Sequence, residues 1–103
     1  MYRFINFMKN NNLIGFPVNR NLHLKYGTMS IQASAYHYCT LRVNNLKLEE
    51  YTTFEIGVIC DNEKVNEILK PYNFGEINNK EMEMKLYENV PIKLVEQVYL
   101  LLK

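Results

Sequence analysis

Acidic residues are missing from the first 48 positions of this chain. All eleven Asp and Glu of its 103 residues stand at or after Glu49, while the twelve Lys and Arg divide evenly, six on each side. The overall formal charge of +1 therefore hides a basic half and an acidic half. Such segregation implies an anionic partner for one half, or two halves that attract each other. A net charge this small gives little counterion-release affinity for long nucleic acid. Glycine is scarce as well. The four glycines recur at neither the G-x-G-x-x-G nor the Walker spacing, so no phosphate loop is built and any anion must be held by side chains. No apolar run approaches the roughly 18 residues that span a bilayer. Met1–Asn12 lacks a continuous apolar core and a small-residue cleavage site, so the expected setting is the cytosol, with reduced thiols.

Cysteine is limited to Cys39 and Cys60. Together with His23 and His37 they make a two-Cys, two-His set, but no C-x2-C knuckle pairs them, and no metal is expected. The better reading of both thiols is as small buried hydrophobes on strand ends. His37 and Cys39 bring a base and a nucleophile close in sequence, yet no Asn or Asp orienter follows from spacing. The carboxylate pairs Glu49-Glu50 and Glu81-x-Glu83 sit on faces that read as solvated. No catalytic constellation emerges, and neither an enzyme nor a cofactor is expected.

What the chain has in plenty is aromatic surface, eight Tyr and five Phe. Tyr rings favour interfaces and ligand sites, where the ring is covered and the hydroxyl satisfied. Tyr2, Phe4, Ile5, Phe7 and Met8 predict a short helix ended by Asn10-Asn11-Asn12. Gly15, Pro17, Asn19 and Asn21 then break regular structure. Leu22–Tyr26 reads as a short strand closed by Gly27. Residues 1–28 are expected to be an N-terminal arm, at least partly packed because its Phe and Ile side chains are costly to leave in water. Residues 29–103 form a single α+β domain.

From Met29 the apolar period is two, through Ile31 and Ala33, which predicts a half-buried strand. Tyr51–Ile59 is the clearest strand, with Phe54, Ile56 and Val58 on one face. Gly57 within it marks a bulge or a close approach. Asp61 or Asn62 caps a helix carrying Val65, Ile68 and Leu69, and Pro71 ends it. Tyr72–Gly75 and Asn78-Asn79 read as loop. Met82, Met84 and Leu86 alternate with Glu81, Glu83 and Lys85, a third strand with one polar face. Pro91 suits position N1 of a last helix with Leu94, Val95, Val98, Leu101 and Leu102 as its core stripe. The fold class is α+β, a small antiparallel or mixed sheet with two helices packed against it.

Anion contacts in the acid-free half are Arg20, Lys25, Arg42 and Lys47. Arg42 leads, because its planar fork matches phosphate oxygens, and Tyr36, His37 and Tyr38 lie just before it as stacking and polar groups. Backbone N–H groups near Gly57 complete the expected site. Three segments resemble small phage anti-defence proteins of the Thoeris-sponge type: Ser30–Arg42, Tyr51–Gly57 and Tyr87–Pro91. Leu41 departs from the family pattern, which has Pro there. The resemblance implies a phage- or prophage-encoded multimer that sequesters a cyclic-nucleotide immune signal without cleaving it. The alternative expectation is an anti-CRISPR-like inhibitor that blocks a host nuclease effector by direct protein contact. Either way the chain is expected to act as a homo-oligomer inside the bacterial host cell, off the membrane.

Overall fold

Thr53–Cys60 forms the central strand of a five-stranded antiparallel sheet, as its β-branched and aromatic content predicts. The structure, a computed structural model, describes residues 2–15, 18–33, 47–78 and 83–103. In chain order the elements are α1 (Arg3–Asn10), β1 (Leu22–Leu24), β2 (Gly27–Gln32), β3 (Thr53–Cys60), α2 (Glu63–Leu69), β4 (Asn73–Asn78), β5 (Glu83–Pro91) and α3 (Ile92–Leu102). The strands lie in the order β1-β2-β3-β5-β4, every neighbouring pair antiparallel. This is the α+β class, with the third helix contributed by residues 3–10.

The core lies on one side of the sheet. Met29 and Ile31 of β2, Phe54, Ile56 and Val58 of β3, and Tyr87 and Val90 of β5 meet Val65 and Leu69 of α2 and Val95, Val98, Tyr99 and Leu102 of α3 in one cluster. Phe4, Ile5 and Met8 of α1 belong to it and are fully covered within this chain. The Phe4 ring stands edge-on to that of Phe54 at 5.7 Å, the favoured offset geometry for an aromatic pair.

β5 is where local pattern and structure part. Val90 pairs with Phe54 and Tyr87 with Ile56, so Glu88 and Asn89 together stand opposite Glu55. Asn89 takes φ 50, a left-handed value that Asn tolerates better than most residues. This bulge puts Tyr87 and Val90, three apart, on the same face. Met84 and Leu86 consequently face away from the helices, and the polar Lys85 shares the helix side with Tyr87. Met84 is nevertheless covered, because its sulfur lies over Gly57 and a Cβ there would collide with it. Gly57 therefore marks a close approach, and the bulge lies elsewhere.

The segment read as loop from Tyr72 is instead strand β4, beginning at Asn73. Its polar, glycine-containing sequence hides the strand, and the ladder to β5 imposes it. Pro91 is the last residue of β5 and the N-cap of α3, one position before that predicted. Asn62 rather than Asp61 caps α2, its Oδ1 accepting from the N–H groups of Lys64 and Val65.

The two oppositely charged halves meet directly. Tyr2, at the N-cap of α1, supplies no side-chain cap, and no acid lies in the first turn. Glu96 of α3 fills that role: its carboxylate accepts from the N–H of Arg3 at 2.8 Å and of Phe4 at 3.1 Å. Lys9 pairs with Glu49 nearby, and that hydrogen bond holds the Glu49 carboxyl below its ordinary value.

Replacing Glu96 by Ala should cost about 1 kcal/mol, the usual worth of a lost N-cap, measured by urea denaturation. Glu96→Gln should recover part of that loss, since the amide oxygen still accepts. Gly57→Ala should cost about 1–3 kcal/mol through overpacking against Met84. Combined with Met84→Ala, the cost should fall below the sum of the two single changes, the signature of residues in contact.

Candidate functional site

A groove opens on the helix side of the sheet because α2 is too short to cover it. Only Val65 and Leu69 of this helix are buried, and Pro71 prevents its continuation. Beyond α2 the helix-side faces of β5 and β4 stay open. Val58 and Cys60 of β3 and Glu83, Lys85 and Tyr87 of β5 form the floor. Asn62, Asn66 and Lys70 line the α2 side. The groove has two adjoining lobes of about 800 and 740 Å³, which share Asn66 and Lys85. The first reaches Lys25 and Tyr26 at the β1–β2 hairpin, and the second reaches Asn73, Gly75 and Glu76 of β4.

Two long-range contacts hold the hairpin end in place. The N–H of Tyr26 donates to the carbonyl of Leu102 at 2.8 Å, tying the tip to the end of α3. Gly27 faces Cys60 across the ladder, where a Cβ would meet the Ile59 carbonyl and the Cys60 side chain. Tyr26 is well exposed, and the Lys25 ammonium lies 5.2 Å from its ring centroid, a cation–π contact.

Lys25, Lys70 and Lys85 line the groove, and among the described residues none of them reaches a carboxylate at ion-pair distance. Asp61, Glu76 and Glu83 line it too. Three cations and three carboxylates leave no formal excess, so a bare anion is poorly matched. A molecule that combines an anionic group with hydroxyl or amino donors fits better. Lysines meet the anion, carboxylates accept from the donors, and the Asn66 amide offers both roles, while Asn62 offers its Nδ2 and Asn73 its Oδ1, their other amide atoms being engaged within the chain.

Tyr87 is buried at the floor of the second lobe, and that burial pushes its hydroxyl above the ordinary value of 10.0, with Cys60 adding to the effect. Burial does the same to Tyr99, helped by Glu96 and opposed by Arg3. Cys60 is a free, half-buried thiol.

Of the residues the sequence singled out, Tyr36, His37, Tyr38, Cys39 and Arg42 lie outside the described residues. Gly57 lies in the middle strand, paired with Ser30 on one side and Leu86 on the other, with Met84 over it. Its backbone faces neighbouring strands rather than the groove. His23 and Cys60 are on opposite faces of the sheet, since His23 pairs with Thr28 and Cys60 with the adjacent Gly27. No metal-binding group of His, Cys, Asp and Glu occurs among the described residues, and no helix there is long and apolar enough to cross a membrane. Among the described residues, Lys25 is the one sequence-named cation that reaches the groove. Lys70, Lys85, Asn66 and Tyr87 were missed. Lys85 carried a signal as part of a polar strand face, but its side of the sheet depends on the β5 pairing. Comparison with protein-family models, curated proteins and solved structures finds no match.

The raised Tyr87 and Tyr99 values set a pH dependence. Both hydroxyls stay protonated in the folded state beyond pH 10.0, where an unfolded tyrosine ionises. Their contribution is complete below that pH and is lost as pH rises through the folded values. Stability to urea should therefore decline above pH 10, and Tyr87→Phe should make the decline shallower.

Proposed function

We propose that this chain is a phage- or prophage-encoded anti-defence binding protein that sequesters a small cyclic-nucleotide signal without cleaving it. The observation that carries the reading is the groove along α2, whose lysines have no ion-pair partner among the described residues. A nucleotide offers what that lining asks for: phosphate for the lysines, ribose hydroxyls for the carboxylates, and a base for the amides and the Tyr26 ring.

The placement of the family-like segments adds support. Ser30, Gly57 and Leu86, the last directly before Tyr87–Pro91, form one row across β2, β3 and β5. The resembling segments, as far as they are described, are therefore neighbours in space. Arg42, with Tyr36, His37 and Tyr38, remains the anion contact that the sequence supplies, and Lys85 is the groove lysine that borders both lobes.

The test is a thermal-shift screen of the wild-type protein against cyclic and linear nucleotides, followed by calorimetric titration and recovery of the bound compound. A true ligand at a hundredfold excess over Kd stabilises by about 2.7 kcal/mol and is recovered chemically intact. Arg42→Ala and Lys85→Ala should each weaken binding by about tenfold or more, the scale of a lost charge-assisted contact. If no nucleotide stabilises the protein and a host nuclease co-elutes with it, the direct-inhibitor reading replaces this one.

A further inference from the structure

The two lobes of the groove differ in charge and in what their floors present. Lys85 and Tyr87 alternate on β5, so both side chains stand on the helix side of the sheet. Tyr87 is only 3% exposed, with its ring held in the core cluster. Among the described residues its hydroxyl has no hydrogen-bond partner, and no polar side-chain atom there is both fully buried and unpartnered. The hydroxyl is therefore the part of Tyr87 that emerges, and the second lobe is the cavity it lines. A polar group this buried without a partner marks a place for one. Lys70 and Lys85 line the same lobe against the single carboxylate of Glu76. In the first lobe Lys25 and Lys85 are balanced by Asp61 and Glu83. Among the described lining residues, the one surplus positive charge thus belongs to the second lobe.

We propose that the second lobe is a phosphodiester subsite, in which the Tyr87 hydroxyl and the Lys70 and Lys85 ammoniums hold the two non-bridging oxygens while the nucleoside extends past Asn66 into the first lobe. The assignment rests on the nucleotide reading of the groove and divides the ligand between its lobes. A diester carries one negative charge and matches one surplus cation. A phosphomonoester, with nearly two charges at neutral pH, would press its excess against Glu76, which stands opposite Lys85 in the ladder. Burial keeps the Tyr87 hydroxyl protonated beyond pH 10.0, so it donates throughout the neutral range. Its ring is already fixed by the core, so the donor costs little to order on binding. In the first lobe Asp61 and Glu83 accept from sugar hydroxyls, and the exposed Tyr26 ring offers a stacking face.

The test follows backbone amide NMR shifts of the full chain during titration with dimethyl phosphate, methyl phosphate, acetate and sodium chloride. Dimethyl phosphate should move Asn66, Gly75 and Glu76 saturably and more tightly than the other three. Tyr87→Phe keeps the buried ring, and Lys70→Ala alters an exposed side chain. Each should weaken dimethyl phosphate about tenfold, the scale of a hydrogen bond to a charged group, with an unchanged circular dichroism spectrum. Should Tyr87→Phe fail to fold, Lys70→Ala decides. Absence of saturable shifts at these residues overturns the proposal, as does equal or tighter binding of methyl phosphate or acetate. Wild-type affinity in the folded variants overturns it too. The nucleotide reading fails separately: dimethyl phosphate would then bind as described while no cyclic nucleotide binds more tightly than it does. A cyclic nucleotide that binds tightly and equally to wild type, Tyr87→Phe and Lys70→Ala would keep that reading and remove the subsite.

Discussion

The double-sided pairing of β3 places everything else. This strand lies between β2 and β5, so both its edges are used, and its Phe54, Ile56 and Val58 face the helices. The rows Ile31–Ile56–Tyr87 and Met29–Val58–Lys85 cross the sheet through it. A one-residue slip would turn its apolar set to the helix-free side and strand the helices without a core. The bulge in β5 adjusts the partner strand to this constraint, so that Tyr87 and Val90 both reach the helices.

Charge segregation acts within the molecule as well as toward partners. The N-terminal helix brings free N–H groups and Lys9, and the acidic half answers with Glu96 and Glu49. The Lys9 pair is partly exposed, where such pairs are worth about 1 kcal/mol or less. The Glu96 contacts carry more, because they satisfy backbone donors that α1 would otherwise leave open. The remaining lysines of the groove are not used in this way, and that separates a structural use of charge from one available to a ligand.

Incomplete cover by the helices makes the groove. α3, with eleven residues, crosses the middle of the sheet, while α2, with seven, ends at Leu69, two residues before Pro71. The helix layer therefore closes over β2 and β3 and leaves β5 and β4 partly bare. Lys85, Glu83 and Glu76 can occupy the helix side of the sheet without burial for that reason, and the floor of the groove is polar.

Much of the fold was legible locally. Alternation located β2 and β3, a side-chain cap started α2, Pro71 stopped it, and the stripe through Val95, Val98 and Leu102 defined α3. These signals depend on residues within a turn or two of each other, and the sequence alone determines them. It also determined the separation of charge, which led to cross-half contacts. Tertiary structure alone decided that Asn73–Asn78 is a strand, that Lys85 rather than Met84 faces the helices, and that Gly57 serves Met84. Each of these follows from pairing between distant segments, where ladder hydrogen bonds and a single bulge override local pattern. The groove belongs to the same class, because its walls come from four separate parts of the chain and no spacing in the sequence announces their meeting.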